Sequence, residues 1–289
     1  MTKIKIVTDS TSDLSKEIAA QYGIEVVPLK VMFGEQTYLD SVNIDIDTFY
    51  DKLANSGLFP TTSQPAPVEF EEVYRRLLVD EEVHIISLHV SAKLSGTAQA
   101  AEIAKTMLTE EQATRVTIVD SKYVCYALGR MAIELAKKAA AGATVDQCVQ
   151  LFESLRSSVR LYFVVDTLEF LQRGGRIGKA SAFIGSLLNI KPILTVDGEG
   201  LVAPVERVRG QKNALKKIRD LFAADFGGQT VDVTVLHSKA LENAQQLATD
   251  IKSEFQTSSV DYASIGPVIG THVGPGALAV VMFPASAVQ

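Results

Sequence analysis

Cysteine is nearly absent. The 289 residues hold two, Cys125 and Cys148, and they share no zinc-ligand spacing. Neither a disulfide framework nor a thiolate metal site is expected, and a reducing compartment is implied. Basic charge is not in excess either. The 28 Lys and Arg against 34 Asp and Glu leave a net charge of −6, whereas a general nucleic-acid binder usually presents a basic face. No apolar run approaches the roughly 18–20 residues that span a bilayer, and the opening MTKIKIVTDS enters a strand without a secretory h-region. The chain therefore reads as soluble and cytoplasmic, with no stable membrane insertion. His-Glu-x-x-His, Cys-x-x-Cys and EF-hand patterns are missing too, so no metal site and no cofactor is predicted. What is present, 47% hydrophobic and 21% charged residues, suits a globular chain long enough for two domains with real cores.

Taken in order, strands alternate with helices. Short apolar strands are read at Lys3–Thr8, Ile24–Val31, Val83–Val90 and Arg115–Val119, and helices at Glu17–Tyr22, Asp47–Asn55, Val68–Val79, Ala127–Ala141 and Val145–Ser157. Tyr38–Ile46 reads as loop. Phe59–Pro67 reads as extended or turned, because three prolines exclude regular helix. The pattern predicts an α/β fold whose first domain, residues 1–158, is a mostly parallel sheet with helices on both faces. The second half changes character. A hairpin is expected at Ile193–Val196 and Leu201–Val208 across Gly198-Glu199-Gly200, an apolar helical stretch at Ala180–Leu188, and further helices at Gln211–Asp225 and Leu241–Phe255. Residues 159–289 are thus expected to form an α+β domain with a mixed sheet, while segment 40–70 fits against either domain. Clefts between such domains are common ligand sites.

Four hydroxyl-bearing turns stand out: Asp9-Ser10-Thr11-Ser12-Asp13, Thr61-Thr62-Ser63, Ser91–Thr97 and Asp120-Ser121. Three follow predicted strands, where open α/β sheets usually bind ligands. Val83–Val90, a small-residue turn and the good helix formers after Ala98 would leave backbone N–H groups and a helix dipole that favour an anion. Ser95 or Thr97 would add a hydroxyl at or beside the helix N-cap. Near the other end, His272 sits beside Gly274-Pro275-Gly276. Singly, each turn is ordinary capping chemistry. Hydroxyls with one imidazole also suffice to hold a carboxylate or phosphate. His84, His89 and His237 read as core-edge or surface residues.

Together these segments resemble the DegV family. The resemblance rests on Thr8-Asp9-Ser10-Thr11-Ser12-Asp13-Leu14, Thr62-Ser63-Gln64-Pro65, Leu94-Ser95-Gly96-Thr97 and Val119-Asp120-Ser121. It continues through Asp166-Thr167-Leu168-Glu169-Phe170-Leu171, Arg173-Gly174-Gly175-Arg176-Ile177-Gly178, Leu188-Asn189-Ile190-Lys191-Pro192 and His272-Val273-Gly274-Pro275-Gly276, in the family's order across nearly the whole chain. The resemblance implies a bacterial fatty-acid-binding protein of two α/β domains, non-catalytic itself. Its ligand would be a long-chain fatty acid, and its partner an ATP-using fatty acid kinase subunit that makes the acyl phosphate, a step serving phospholipid metabolism.

Carried over motif by motif, the resemblance implies that Thr62, Ser95 and His272 hold the carboxylate. More loosely, Arg173, Arg176 and Arg209 face the kinase or the acyl phosphate. Phe163, Phe170, Ile177, Phe183, Ile184, Leu187 and Leu188 are candidates for the apolar wall of a tail tunnel. The chain departs from the family pattern at Ser41 and Ala279, where glycine is common, and at Cys125, where serine is frequent, which leaves the acyl preference open. Arg207, Arg209, Lys212, Lys216, Lys217 and Arg219 lie within thirteen residues and offer either a solvated helix face or a landing site for a kinase. A rival from another class is a serine hydrolase using Ser95 and His272 with Asp9 or Asp120, although no Gly-x-Ser-x-Gly elbow is present. A dinucleotide or sugar-phosphate enzyme is disfavoured, because Gly174-Gly175-Arg176-Ile177-Gly178 follows a predicted helix rather than a strand.

Overall fold

The computed structural model describes residues 3–185 and 189–287. In the first half, β1 (Lys3–Asp9) leads through a single 3₁₀ turn to α1 (Lys16–Tyr22), which Ser15 caps and Gly23 ends in a left-handed conformation at φ 61°. β2 (Glu25–Val27), β3 (Lys30–Phe33) and β4 (Gln36–Leu39) follow, then α2 (Ile46–Asn55) and β5 (Thr61–Ser63). The run continues as α3 (Pro67–Leu77), β6 (Val83–His89), α4 (Thr97–Thr106), α5 (Glu110–Thr114), β7 (Val116–Asp120), α6 (Cys125–Ala140) and α7 (Val145–Ser158). Pro67 stands at the first turn of α3, where its missing N–H costs nothing. Thr144 and Gln147 close a capping box that starts α7.

The second half runs β8 (Arg160–Val164), α8 (Glu169–Arg173), β9 (Ile190–Val196), β10 (Val202–Arg209), α9 (Gln211–Phe226), β11 (Val231–His237), α10 (Leu241–Glu254), β12 (Thr257–Ser264), α11 (Pro267–Val273) and β13 (Leu278–Pro284).

Three sheets result. The first is wholly parallel, in the order β2-β1-β6-β7. Its central strands are buried on both faces, which is why β6 reads as a continuous apolar run. Leu128 and Met131 of α6 cover one face at Ile6 and Leu88. Phe70 and Tyr74 of α3, with Ala101 and Ala104 of α4, cover the other at Val7 and Ile85. The second sheet is mixed, in the order β10-β9-β8-β13-β11-β12, with only β11 and β12 parallel. α9 and α10 pack on one of its faces through Phe222 and Leu247. The third is a small antiparallel sheet, β4-β3-β5, backed by α2 and α11 through Phe33, Phe49 and Val268.

One hydrophobic core runs from Ile6 and Leu88 through Met131 of α6 and Phe152 of α7 to Phe163 and Phe283 of the mixed sheet. The α6–α7 pair therefore lies between the two large sheets and belongs to both. Arg130 on α6 reinforces the junction, with Nη2 2.8 Å from Asp232 Oδ2 of β11.

Several elements differ from the sequence expectation. The stretch read as loop from Tyr38 contains the end of β4, and the small sheet was not anticipated. Gly178–Phe183 is 3₁₀ rather than α-helical, bracketed by Gly178 and Gly185 at positive φ. The rest of that expected helix, including Leu187 and Leu188, falls outside the described residues. α8 begins at Glu169 after Leu168, and Thr167 Oγ1 accepts from Glu169 N at 3.1 Å. α11, which carries His272, was missed altogether.

Candidate ligand-binding site

Between the parallel and mixed sheets lies a narrow cavity of about 70 Å³. Thr11, Val90, Leu94 and Ser95 enter it from the carboxyl ends of β1 and β6, the usual ligand edge of a parallel sheet. Thr62 comes from β5. α11 supplies the facing wall through Val268, Ile269, His272 and Val273. Phe163 of β8, Leu171 of α8, Val196 of β9 and Val202 of β10 join Leu29 and Val124 in completing an otherwise apolar lining.

The polar groups form one contiguous rim. Thr62 Oγ1 and His272 Nε2 lie 2.8 Å apart. The imidazole rests against Gly174, where a Cβ would come within 2.2 Å of Nδ1. Gly174 has an ordinary helical backbone, so the ring's closeness, and not φ, requires glycine there. Arg176 donates from Nη1 to the Gly174 carbonyl at 2.7 Å and from Nε to the Leu94 carbonyl at 3.0 Å, next to Ser95. Burial, and secondarily the Arg176 guanidinium, push the His272 pKa down to about 4, so the ring is neutral at pH 7. Its Nδ1 is buried and finds no hydrogen-bond partner among the described residues. Ser95 Oγ pairs with Thr97 Oγ1 at 2.8 Å. The cap residue of α4 is Gly96, and no side chain caps that helix, so neither hydroxyl serves the capping role expected of it.

Behind the cavity, Asp9 is saturated. It accepts from Thr11 N at 3.0 Å, Thr11 Oγ1 at 2.5 Å, Val90 N at 3.0 Å and His89 Nδ1 at 3.1 Å. With its proton on Nδ1, a neutral His89 ring donates to Asp9 and offers Nε2 as an acceptor for one further proton. Ser87 Oγ supplies that proton at 2.7 Å and receives one from Tyr74 OH at 2.7 Å. Expected as a core-edge or surface residue, His89 is instead fully buried within a complete polar chain.

The structure thus brings Thr62, Ser95, His272 and Arg176 together on one cavity, with Phe163 in its wall. Phe170, Ile177, Phe183 and Ile184 do not line it. Phe170 packs at a tilt against Phe59 with ring centroids 5.2 Å apart, Ile177 and Phe183 pack against the main core, and Ile184 is exposed. Arg173 is exposed, paired with Glu169 at 2.7 Å and lying over Phe59, and Arg209 is an exposed residue ending β10.

The hydrolase alternative lacks its geometry. His272 Nε2 faces Thr62 and not Ser95, Asp9 is committed to His89, and Asp120 Oδ1 accepts from Ala92 N and Lys122 N. Among the described residues no His, Cys, Asp and Glu cluster suits a metal ion, and no helix is long and apolar enough to cross a membrane. Sequence reasoning missed most of the true wall, including Leu29, Val124, Val202 and Ile269. The one usable signal was Gly266-Pro267 as a helix start, which would have placed Val268–Val273 on an element with His272.

The family model for DegV, described as an uncharacterised protein family, matches residues 3–285. A DegV domain-containing protein of Halalkalibacterium halodurans is 39% identical over 279 residues, covering 96% of this chain and 97% of that protein. Among solved structures, a Thermus thermophilus DegV family protein described by its fatty acid binding superimposes with a TM-score of 0.91 at 37% identity, over 98% of this chain and 99% of that one. DegV of Bacillus subtilis, described as a fatty acid binding protein, gives a TM-score of 0.86 at 33% identity, over 98% and 100%.

Proposed function

The chain belongs to the DegV family, and from that premise we propose that its cavity binds a long-chain fatty acid and presents the carboxyl group to a separate ATP-using kinase subunit. The observation that carries the reading is the cavity's polarity: Thr62, His272, Arg176 and Ser95 are contiguous, and the remaining wall is almost entirely aliphatic or aromatic. A carboxylate brought into such a site is costly unless hydrogen-bonded, and two hydroxyls backed by an imidazole supply the donors. Each buried methylene contributes about 0.8 kcal/mol. A dozen of them therefore contribute roughly 10 kcal/mol before the entropy of association is subtracted. The head group sets orientation and the tail supplies most of the affinity.

Native mass spectrometry of protein purified from cells, followed by titration with palmitate and oleate, tests the core of this reading. A retained mass near a long-chain fatty acid is expected. A protein that is empty and ignores both acids refutes it. Thr62→Ala and Ser95→Ala should each weaken palmitate without weakening hexadecanol, whereas equal losses would mean that these side chains only shape the cavity.

The kinase partnership is supported by family likeness and by unpaired basic charge. Lys216 faces Asp220, Lys217 faces Glu206, and Arg219 faces Asp250 and Glu254. Arg207, Arg209 and Lys212 enter no ion pair among the described residues, and with Arg207 held on the Ala182 carbonyl and the Phe183 ring, Arg209 and Lys212 are the basic groups of the patch best placed as a landing site. Charge complementarity of this kind mainly speeds encounter and is screened by salt. Arg209→Ala with Lys212→Glu should leave fatty-acid binding intact and slow acyl-phosphate formation by the cognate kinase at low ionic strength. Normal turnover by that variant would assign the patch to solubility alone.

A further inference from the structure

Ser95 is a cavity residue, yet its hydroxyl already shares a hydrogen bond. Thr97 Oγ1 lies 2.8 Å away, and Thr97 is wholly buried in the first turn of α4, outside the cavity wall. One proton lies between the two oxygens, and its owner decides what Ser95 offers a ligand. Were Ser95 the donor, the Thr97 proton would be stranded, because Thr97 Oγ1 makes no other hydrogen bond among the described residues. A buried donor left unsatisfied is expensive. With Thr97 as donor every proton is placed, and the Ser95 proton is free to enter the cavity.

The same question arises at Thr62, and the neutral His272 ring answers it. The hydrogen that Gly174 carries in place of a Cβ points at Nδ1, since a Cβ built there falls 2.2 Å from that atom. A C–H group meets a lone pair favourably and an N–H badly. The ring proton therefore sits on Nε2, which donates to Thr62 Oγ1 and leaves the Thr62 proton for the ligand.

Resting on the fatty-acid reading, we propose that the head-group site is a pair of directed relays, Thr97 to Ser95 and His272 to Thr62, and that Thr97 is a positioning residue for carboxylate recognition. Two hydroxyl protons, both aimed inward, match an ionised carboxylate, which only accepts. An alcohol gains less, because its uncharged oxygen accepts more weakly than an ionised carboxylate.

Thr97→Val removes the donor at nearly constant shape, and Thr97→Ser keeps it. The dissociation constants of palmitate and hexadecanol are measured for wild type and both variants by displacement of a fluorescent fatty acid. Thr97→Val is expected to weaken palmitate about tenfold, to leave hexadecanol within twofold, and to be restored by Thr97→Ser. Unchanged or tightened palmitate binding in Thr97→Val overturns the relay. So does a parallel loss for acid and alcohol, or a Thr97→Ser protein as weak as Thr97→Val. Absence of palmitate binding to the wild type refutes the fatty-acid reading itself, and the relay with it.

Discussion

The neutral state of His272 has a cost that acid should reveal. Its folded pKa of about 4 lies below the ordinary value of 6.5, so the unfolded chain takes up a proton at a pH where the folded chain refuses it. Stability from this group is fully present above pH 6.5, falls as pH drops through the window from 6.5 to 4, and is lost below it. At 1.36 kcal/mol per pH unit the whole loss is about 3 kcal/mol, and about 2 kcal/mol is reached by pH 5. The wild-type curve alone will hide it. Burial raises the Asp40 carboxyl to about 6 from 3.8 and pushes Asp13 up as well. Stabilisation from such raised carboxyls is complete below the unfolded pKa and fades as pH rises through the folded one, so for Asp40 acidification strengthens the fold by a comparable amount over the same window. Comparison with His272→Gln separates the two, because the carboxylates are common to both proteins and loss of the Thr62 contact is a pH-independent offset. Urea unfolding of delipidated protein at pH 7.5, 6 and 5 should show the wild type losing about 2 kcal/mol relative to the variant between the extremes. A difference constant to within about 0.5 kcal/mol would mean that the ring titrates as it does in water, and the argument for a neutral, Nε2-protonated His272 would fail.

Gly174→Ala, at a position of unstrained backbone, should push the imidazole off Thr62 and weaken palmitate binding at least tenfold, read by titration; unchanged affinity would show that the ring has room to yield. In the buried chain, Tyr74→Phe removes one donor and should cost about 1 kcal/mol, whereas Ser87→Ala strands both Tyr74 OH and His89 Nε2 and should cost about 2–3 kcal/mol. Denaturant midpoints giving the opposite order would refute Ser87 as the link between Tyr74 and His89.

The strand–helix alternation of the first half was legible because parallel strands buried on both faces are unbroken apolar runs, as β6 is. The β9–β10 hairpin announced itself through its glycine-flanked turn. The small sheet did not, since β3, β4 and β5 are four, four and three residues long and the last sits among prolines. α11 is short and holds Gly270, a poor helix former that is present because a Cβ there would fall 2.7–2.8 Å from Tyr50 and Phe49. Thr62, Ser95, His272 and Arg176 were found through turn chemistry and family resemblance. The cavity wall escaped for a physical reason: strands, loops and helices contribute one or a few residues each, so no periodicity marks it, and the apolar stretch after Ala180 drew attention elsewhere. Asp9 does cap the turn after β1 through Thr11 N, but its distant partners, His89 and Val90, are invisible locally.

The shared core also bears on how a ligand comes and goes. Many two-part binding proteins admit their ligands by swinging rigid halves about a hinge. Here the α6–α7 pair is packed into both sheets, and parting them would expose Met131, Phe152, Phe163 and Phe283 at once, a penalty that grows with every square ångström of apolar surface uncovered. For the ligand proposed above, exchange would draw on small local openings around the half-buried rim at Leu94, Arg176, His272 and Val273, since these uncover less apolar surface than parting the sheets. Residence time is then set by a few peripheral contacts, and a substitution can quicken release without loosening the protein as a whole.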